Sequence, residues 1–442
     1  MGILRNVSRA AAGIAVLASF SAGMAQQEAQ DQIDALCSAS PHTIEFWHGF
    51  TGGSLRASLE NLTLEYNLQN EGEACIRTVG QGNYTDLSTN ILAASAAGNL
   101  PVVAMGYENN IATYLRAGVI ADLEAIGVET DHIYDNFIDA VRWDGVLYGV
   151  PFNKSVHLLY YNRDLLLDNA DVLESAGVPE NLDGVRVPTT VEEFLAAGEA
   201  LRLVTGEATY WFSPSDLATY EDWFFSMGGS FYDDAGNLVV NSDIAVEALQ
   251  LLVDMSYDTQ IARPITDGYI NESFALGTYG FSTDTSAGYT YYVSNATFDV
   301  GIAPMPGLGD GNPGASVFQG TNLLVFNAEA ADMALAADYI NFMTSPTVNA
   351  VFAVSTAYAP LGDAAANDPV YVDYLNENPD FEAIIDQLPF AQFEPNLAEW
   401  QQIRFDILGN AVVRAVLQDA TPQQALDEAQ AAIESLLAGE TR

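Results

Sequence analysis

The side chains best suited to chemistry are few in this chain: His42, His48, His132 and His157, the pair Cys37 and Cys75, and a single lysine, Lys154, set among a large excess of carboxylates. The histidines are scattered and lack metal-ligand spacing, so no metal site is expected. Neither a His-Glu-x-x-His, a Gly-x-Ser-x-Gly, a Cys-x-x-Cys nor a Walker sequence occurs, which removes the common hydrolase, redox and nucleotide signatures. Gly307-Leu308-Gly309-Asp310-Gly311 carries Gly-x-Gly, but it follows Pro304 and Pro306 and precedes Pro313, so it reads as a surface loop. Carboxylate pairs occur everywhere in so acidic a chain and give no signal for a glycosidase dyad. The expectation is a protein with no catalytic residue and no cofactor.

Charge narrows the partners. Lys plus Arg number 14 against 59 Asp plus Glu, a formal net charge of −45 at pH 7. Nucleic acid is excluded, because phosphate backbones need a basic face; an anionic membrane is disfavoured for the same reason. The acids are dispersed, as on a surface adapted to saline surroundings where salt screens self-repulsion. Residues 1–25 carry Arg5 and Arg9, an apolar run from Ala10 to Phe20, and Gly23-Met24-Ala25 before a polar stretch, the layout of a secretory signal peptide cleaved after Ala25. Losing those two arginines takes the mature chain from −45 to −47. The apolar run is too short for a membrane span, no later segment is long enough, and no cysteine follows closely enough for a lipid anchor. A soluble periplasmic protein is expected. Cys37 lies just before the first expected strand and Cys75 near the start of the second. Parallel strands would set these starts side by side, and an oxidising compartment permits a disulfide, the alternative being two buried thiols.

With 442 residues and 49% apolar content, the chain exceeds one ordinary core and can fill two lobes. Thr43 to Trp47, Ala74 to Val79 and Val102 to Met105 read as strands, each followed by a loop and a helical pattern, including Thr85 to Ala97. This alternation implies a parallel, doubly wound sheet with ligand loops at the carboxyl ends of its strands. Val156 to Tyr161 reads as a buried strand, Val191 to Leu203 and Ile244 to Tyr257 as helices, and Phe231 to Val240 as a hairpin turning at Asp234 to Asn237. Strand-like runs return at Tyr279 to Thr283, Asp299 to Pro304 and Asn322 to Phe326, and the tail from Trp400 to Leu437 is mostly helical.

Several short motifs in order give a resemblance. They are Phe46-Trp47-His48, Gly82-Asn83-Tyr84, Tyr107-Glu108, Pro151-Phe152-Asn153 with Tyr160-Tyr161-Asn162, Thr356-Ala357-Tyr358-Ala359-Pro360-Leu361, Gln402-Ile403-Arg404, and Thr421 to Asp427. Together they span nearly the whole mature chain, which resembles the family 1 extracellular solute-binding proteins of ABC transporters and within them the sn-glycerol-3-phosphate-binding branch. The resemblance implies an α/β, two-lobe periplasmic-binding fold (type II-like) with three interlobe crossings, expected near Phe152 to Val156, Phe298 to Ile302 and Ile340 to Thr347. Residues 26–152 and 301–341 would then form the first lobe, and 153–300 with 342–442 the second.

Carried over by motif, the ligand contacts are Tyr84, Glu108, Ser155, Thr285, Gly320, Tyr358 and Arg404. Threonine at 285 stands for the family's serine and keeps the hydroxyl. Lys154 stands where serine is usual and is read as an added anion contact, its loss expected to lower affinity without changing stability. The segment near Trp211 and Pro214 departs from the family's tryptophan-containing stretch, which leaves Trp211 or Trp223 as candidates for the aromatic wall. These residue types suit the chemistry: Arg404 is a rigid donor fork for phosphate, Ser155, Thr285 and the Gly320 N–H complete an anion shell, Glu108 accepts from polyol hydroxyls, and the tyrosines offer flat faces. The implied activity is capture of glycerol-3-phosphate or a glycerophosphodiester by a monomer that delivers it to a membrane permease. An oligosaccharide-binding protein of a sugar importer is the alternative, and a secreted carbohydrate-active enzyme the alternative from another class.

Overall fold

The computed structural model describes residues 22–182, 184–266 and 270–439. All but the last four residues of the expected leader lie outside them. The chain forms two compact units, one built from residues up to Lys154 with Gly320–Tyr374, the other from Ser155–Gln319 with Leu375 onward.

The first unit begins with α1 (Ala22–Ala39), β1 (Thr43–His48), α2 (Gly53–Gln69), β2 (Cys75–Gly80), α3 (Tyr84–Ala97), β3 (Val103–Gly106) and α4 (Glu108–Ala117). Strand β1 pairs in parallel with β2, from Thr43 opposite Cys75 to His48 opposite Gly80, and with β3 on its other edge. Helix α3 starts where its sequence dictates, since the Asn83 side chain accepts from the N–H groups of Thr85 and Asp86 and Asp86 returns the bond. Helix α1 was not expected. Cys37 lies near its end and is bonded to Cys75, their Cα atoms 5.2 Å apart. Closing a loop of 38 residues in this way is worth about 4 kcal/mol by chain entropy.

Strand β4 (Val150–Asn162) is buried at every one of its 13 positions and runs from the first unit into the second, passing at Lys154–Ser155. The second unit continues with α5 (Val191–Thr205), β5 (Tyr210–Phe212), α6 (Leu217–Ser226), α7 (Asp243–Tyr257), β6 (Ala262–Pro264), β7 (Phe281–Thr285), α8 (Tyr289–Asn295) and β8 (Val300–Ala303). Strands β6 and β7 flank β5 in parallel, but β7 and β8 lie antiparallel to β4, Thr285 opposite His157 and Val300 opposite Asn162. The parallel pairing expected of the first three strands holds for β1, β2 and β3, whereas the sheet of this unit is mixed. The expected hairpin over 231–240 is a single bridge between Tyr232 and Leu238, its turn tied by Asp233 Oδ1, which accepts from the N–H groups of Ala235 and Asn237.

The chain returns to the first unit within β9 (Ser316–Val325), whose later residues pair antiparallel with β3, and stays there through α9 (Ala330–Thr344) and α10 (Pro346–Thr356). The second and third passages thus fall at Gln319–Gly320 and Tyr374–Leu375, downstream of the expected segments. Pairing explains the shift: β8 is hydrogen-bonded to the Leu159–Asn162 stretch of β4, while α9 and α10 cover α2. The tail closes the second unit with α11 (Gly409–Val416) and α12 (Pro422–Leu437), the latter opened by a Thr421–Gln424 capping box with Pro at its first position. Phe194, Tyr210, Trp223 and Trp400 are buried in that unit's core.

Candidate functional site

The expected residues fall into two groups, one in each unit. In the first unit Tyr84 opens α3, and Gly49 makes room for its ring, because a Cβ there would lie 2.6 Å from Tyr84 Cδ1. The Tyr84 hydroxyl accepts from Asn153 Nδ2 at 2.8 Å and lies 3.3 Å from the Tyr358 hydroxyl. Asn153, absent from the expected set, receives the N–H and hydroxyl of Thr321 on Oδ1 at 3.2 and 2.6 Å. Gly320 has φ +97, and a Cβ there would overlap the Asn153 carbonyl oxygen, so both the left-handed backbone and the close approach require glycine. Tyr358 follows Ala357 at φ 59, stacks on Phe50 and Phe352, and is followed by Ala359, whose N–H donates to the Lys154 carbonyl at 2.7 Å.

Lys154 is buried in the same unit, its ammonium bonded to the Glu108 carboxylate at the start of α4. Burial pulls the lysine below its ordinary pKa, with Glu108 opposing. This corrects the reading of Lys154 as a partner of Ser155 in one anion shell. Neighbours on a strand point to opposite faces; Lys154 meets Glu108, whereas the Ser155 hydroxyl accepts from Thr285 Oγ1 at 2.6 Å in the second unit. It also revises the expectation that losing Lys154 leaves stability untouched, because the half-buried Glu108 carboxylate would lose its buried partner.

In the second unit Arg404 lies in a wide, π-type turn, Ile403–Leu408, a form that recurs at functional sites. The turn is closed by the Gly409 N–H on the Arg404 carbonyl, and a Cβ at 409 would stand 2.7 Å from that oxygen. Arg404 pairs through Nε with Glu394, rather than with the nearby Asp406, and its Nη atoms make no hydrogen bond to a described residue. Burial would lower the guanidinium, but Glu394, Glu221 and Asp216 outweigh it and hold it firmly charged. Glu221 is fully buried on α6 with no donor from another group on its carboxyl oxygens, and it shares a side-chain hydrogen bond with Glu394, Arg404 opposing the rise that Glu394 causes. Burial first, then Glu394, push it far above the usual carboxylate range, so Glu221 holds its proton.

Two further groups escaped the sequence. His157 Nδ1 meets Asp222 Oδ2 at 2.9 Å, both side chains buried. Burial alone would lower the imidazole, but Asp222, with Asp284 and Asp216, raises it to about 9. Asp284 on β7 is pushed by burial up to about 6, His157 opposing. Among the aromatic candidates, Trp223 is core: it is buried against Phe194 and donates its Nε1–H to Tyr210. Trp211 is half-buried, stacked on Tyr279 with the Arg263 guanidinium over its ring. Among the described residues no cluster of His, Cys, Asp and Glu is arranged to hold a metal.

These are the features of a binding protein: two α/β units joined by three chain passages, with arginine, hydroxyl and tyrosine groups set at strand and helix ends. The profile of the bacterial extracellular solute-binding proteins matches residues 64–382, and the chain belongs to that family. It is 26% identical over 411 residues to the sn-glycerol-3-phosphate-binding periplasmic protein UgpB of Salmonella paratyphi A, covering 88% of this chain and 90% of that one. The UgpB of Escherichia coli K12 is 25% identical over the same share. Among solved structures, UgpB from Mycobacterium tuberculosis in complex with glycerophosphocholine superposes with a TM-score of 0.77 at 22% identity, over 90% of this chain and 99% of that one. The cyclic alpha-maltosyl-1,6-maltose binding protein from Arthrobacter globiformis gives 0.75 at 23%, over 90% and 100%. The fold is therefore the α/β periplasmic-binding type. No helix of the described residues is long and apolar enough to cross a membrane.

Proposed function

We propose that this protein captures a glycerophosphodiester, ahead of glycerol-3-phosphate, and acts as an exported monomer in the periplasm that hands its ligand to the permease of an ABC importer. The observation that carries this reading is Arg404, a guanidinium anchored on one side by Glu394 with its Nη edge free of hydrogen bonds to described residues. Such an edge suits two phosphate oxygens. The names of the UgpB relatives support the same chemistry. The candidate ligand contacts are Tyr84, Glu108, Lys154, Gly320 and Tyr358 in the first unit and Ser155, Thr285 and Arg404 in the second.

Charge favours the diester. Around Arg404 and His157, two cations face the carboxylates of Glu394, Asp222 and Asp216, before Asp284 is counted. A phosphate monoester carries up to two negative charges at neutral pH, a diester one. The second reading, a neutral oligosaccharide, draws on the pairing of each candidate cation with a carboxylate, Lys154 with Glu108 and Arg404 with Glu394, an arrangement that also suits hydroxyls.

A thermal-shift screen of the mature protein against glycerophosphocholine, glycerol-3-phosphate, inorganic phosphate and maltose separates the readings, since a ligand of the native state raises its melting temperature. Glycerophosphocholine is expected to give the largest shift, and Arg404→Ala to weaken it by roughly 2 to 5 kcal/mol in titration calorimetry. A shift with maltose alone would overturn the proposal in favour of the sugar reading. Sustained release of choline or glycerol by the pure protein would instead make it an enzyme.

A further inference from the structure

We propose that His157 is a specificity-determining residue of the second unit's part of the site, an imidazolium that favours an anionic ligand group at the Ser155 and Thr285 hydroxyls. The inference rests on the solute-binding reading above and adds a residue to it.

Strand geometry places the groups. Ser155 and His157 are two apart on β4 and share a face, about 7 Å along the strand. Thr285 stands directly opposite His157 in the antiparallel register, where Cα atoms are about 5 Å apart. The imidazole thus lies beneath both hydroxyls, and it is fully buried. Thr285 Oγ1 donates to Ser155 Oγ, which leaves the serine hydrogen to be given to a ligand oxygen. A positive charge behind that pair strengthens the donation and stabilises a negative group beyond it.

The side chain itself shows that it is more than packing. Asp222 holds Nδ1 and is itself supported by the Val317 backbone N–H, while the imidazole Nε2 is buried without a hydrogen-bond partner. Buried polar atoms are nearly always satisfied, so this nitrogen marks a place where a further group belongs. The charged groups that face the imidazole are Asp222 on α6, Asp216 at the cap of that helix and Asp284 on β7, all acidic. With its pKa raised to about 9 by these carboxylates, His157 keeps its proton at neutral pH. A neutral sugar would gain little from that charge, whereas a phosphodiester would gain much.

Glycerophosphocholine is the probe, because none of its groups titrates between pH 6 and 10. Calorimetry of the wild type should give a nearly constant affinity from pH 7 to 8, above the titration of Asp284 near 6, and a loss of about tenfold by pH 10, as the imidazolium is discharged. His157→Gln should bind about tenfold more weakly at pH 7, with no pH dependence in that range. Asp222→Asn should move the fall in affinity below pH 7, since burial then acts on the imidazole without its main counter-charge. A His157→Gln protein that binds within twofold of the wild type, with the same pH profile, overturns the inference alone. A wild type that binds maltose but no phosphodiester at any pH overturns the solute reading and this inference with it. Should the variants melt before they can be titrated, the imidazole nitrogens of the labelled wild type decide: their resonances must move on adding glycerophosphocholine, and unmoved resonances overturn the proposal.

Discussion

The candidate residues of the two units differ in how fully they are hydrogen-bonded without a ligand. In the first unit, Asn153 spends its amide on Tyr84 and Thr321, Tyr84 meets Tyr358, and Lys154 meets Glu108. In the second, no donor reaches the buried Glu221 carboxyl, which meets only the acceptor Glu394 through its own proton, and His157 Nε2 is buried without a partner. Leaving such atoms unmet costs about 1–3 kcal/mol each. The first group is built as a rigid frame whose geometry is complete in itself; the second is held short of its best energy until another molecule supplies bonds. Substitutions in the first unit should therefore appear mainly as lost stability, and those in the second mainly as lost response to ligand.

Removing the disulfide is the strongest way to separate the units. Cys37→Ala with Cys75→Ala should cost the first unit about 4 kcal/mol in urea unfolding. The second unit should unfold as before, and a single coincident shift of both would contradict their independence. Next, Lys154→Met should cost about 3 kcal/mol without ligand, because Glu108 loses its buried counter-ion. Adding Glu108→Gln should restore much of that loss. A Lys154→Met protein as stable as the parent would show the pair to be as dispensable as a surface bridge.

The units should also answer acid in opposite directions. His48 in the first unit is pushed down to about 3 by burial, then by Arg56. A base lowered on folding contributes stability above its unfolded pKa of about 6.5 and loses it as pH falls toward 3. Comparison with His48→Gln should show that difference shrinking by about 2–3 kcal/mol between pH 6.5 and 4. Asp284 in the second unit is raised to about 6, so its unfavourable contribution at pH 7 disappears as pH falls through 6 toward 4. Fluorescence-detected melts of His48→Gln and Asp284→Asn against the parent would test both signs, and parallel curves would refute them. Gly409→Ala should cost about 1–3 kcal/mol in stability, since a Cβ 2.7 Å from the Arg404 carbonyl oxygen meets backbone that must give way. Its ligand affinity should fall by more than its stability, as the guanidinium moves with the turn.

How much of this was legible depended on the range of the interaction. The strands beginning at Thr43 and Cys75 and the helices from Tyr84, Val191 and Asp243 follow local pattern and match the sequence reading within a residue or two. The passages within β9 and after Tyr374 depend on which strand β8 joins, a choice that local apolar patterning leaves open. Arg404 was expected as a ligand contact in a helical tail, but the π-type turn around it and its pairing with Glu394 follow from no local pattern. His157 and Asp222 are 65 residues apart, and nothing in either segment announces the other. Lys154 drew notice as the chain's single lysine, yet its partner became clear only once strand alternation had turned it away from Ser155.

The bond between Cys37 and Cys75 also sets how the protein bears a mechanical load. A pull applied ahead of Cys37 travels along α1 only as far as that residue and then crosses to Cys75, so β1 and α2 lie inside a ring that carries no tension. Stretching the oxidised protein from that end should release a contour shorter by about 130 Å than the reduced one, the extended length of the chain shielded between the two cysteines.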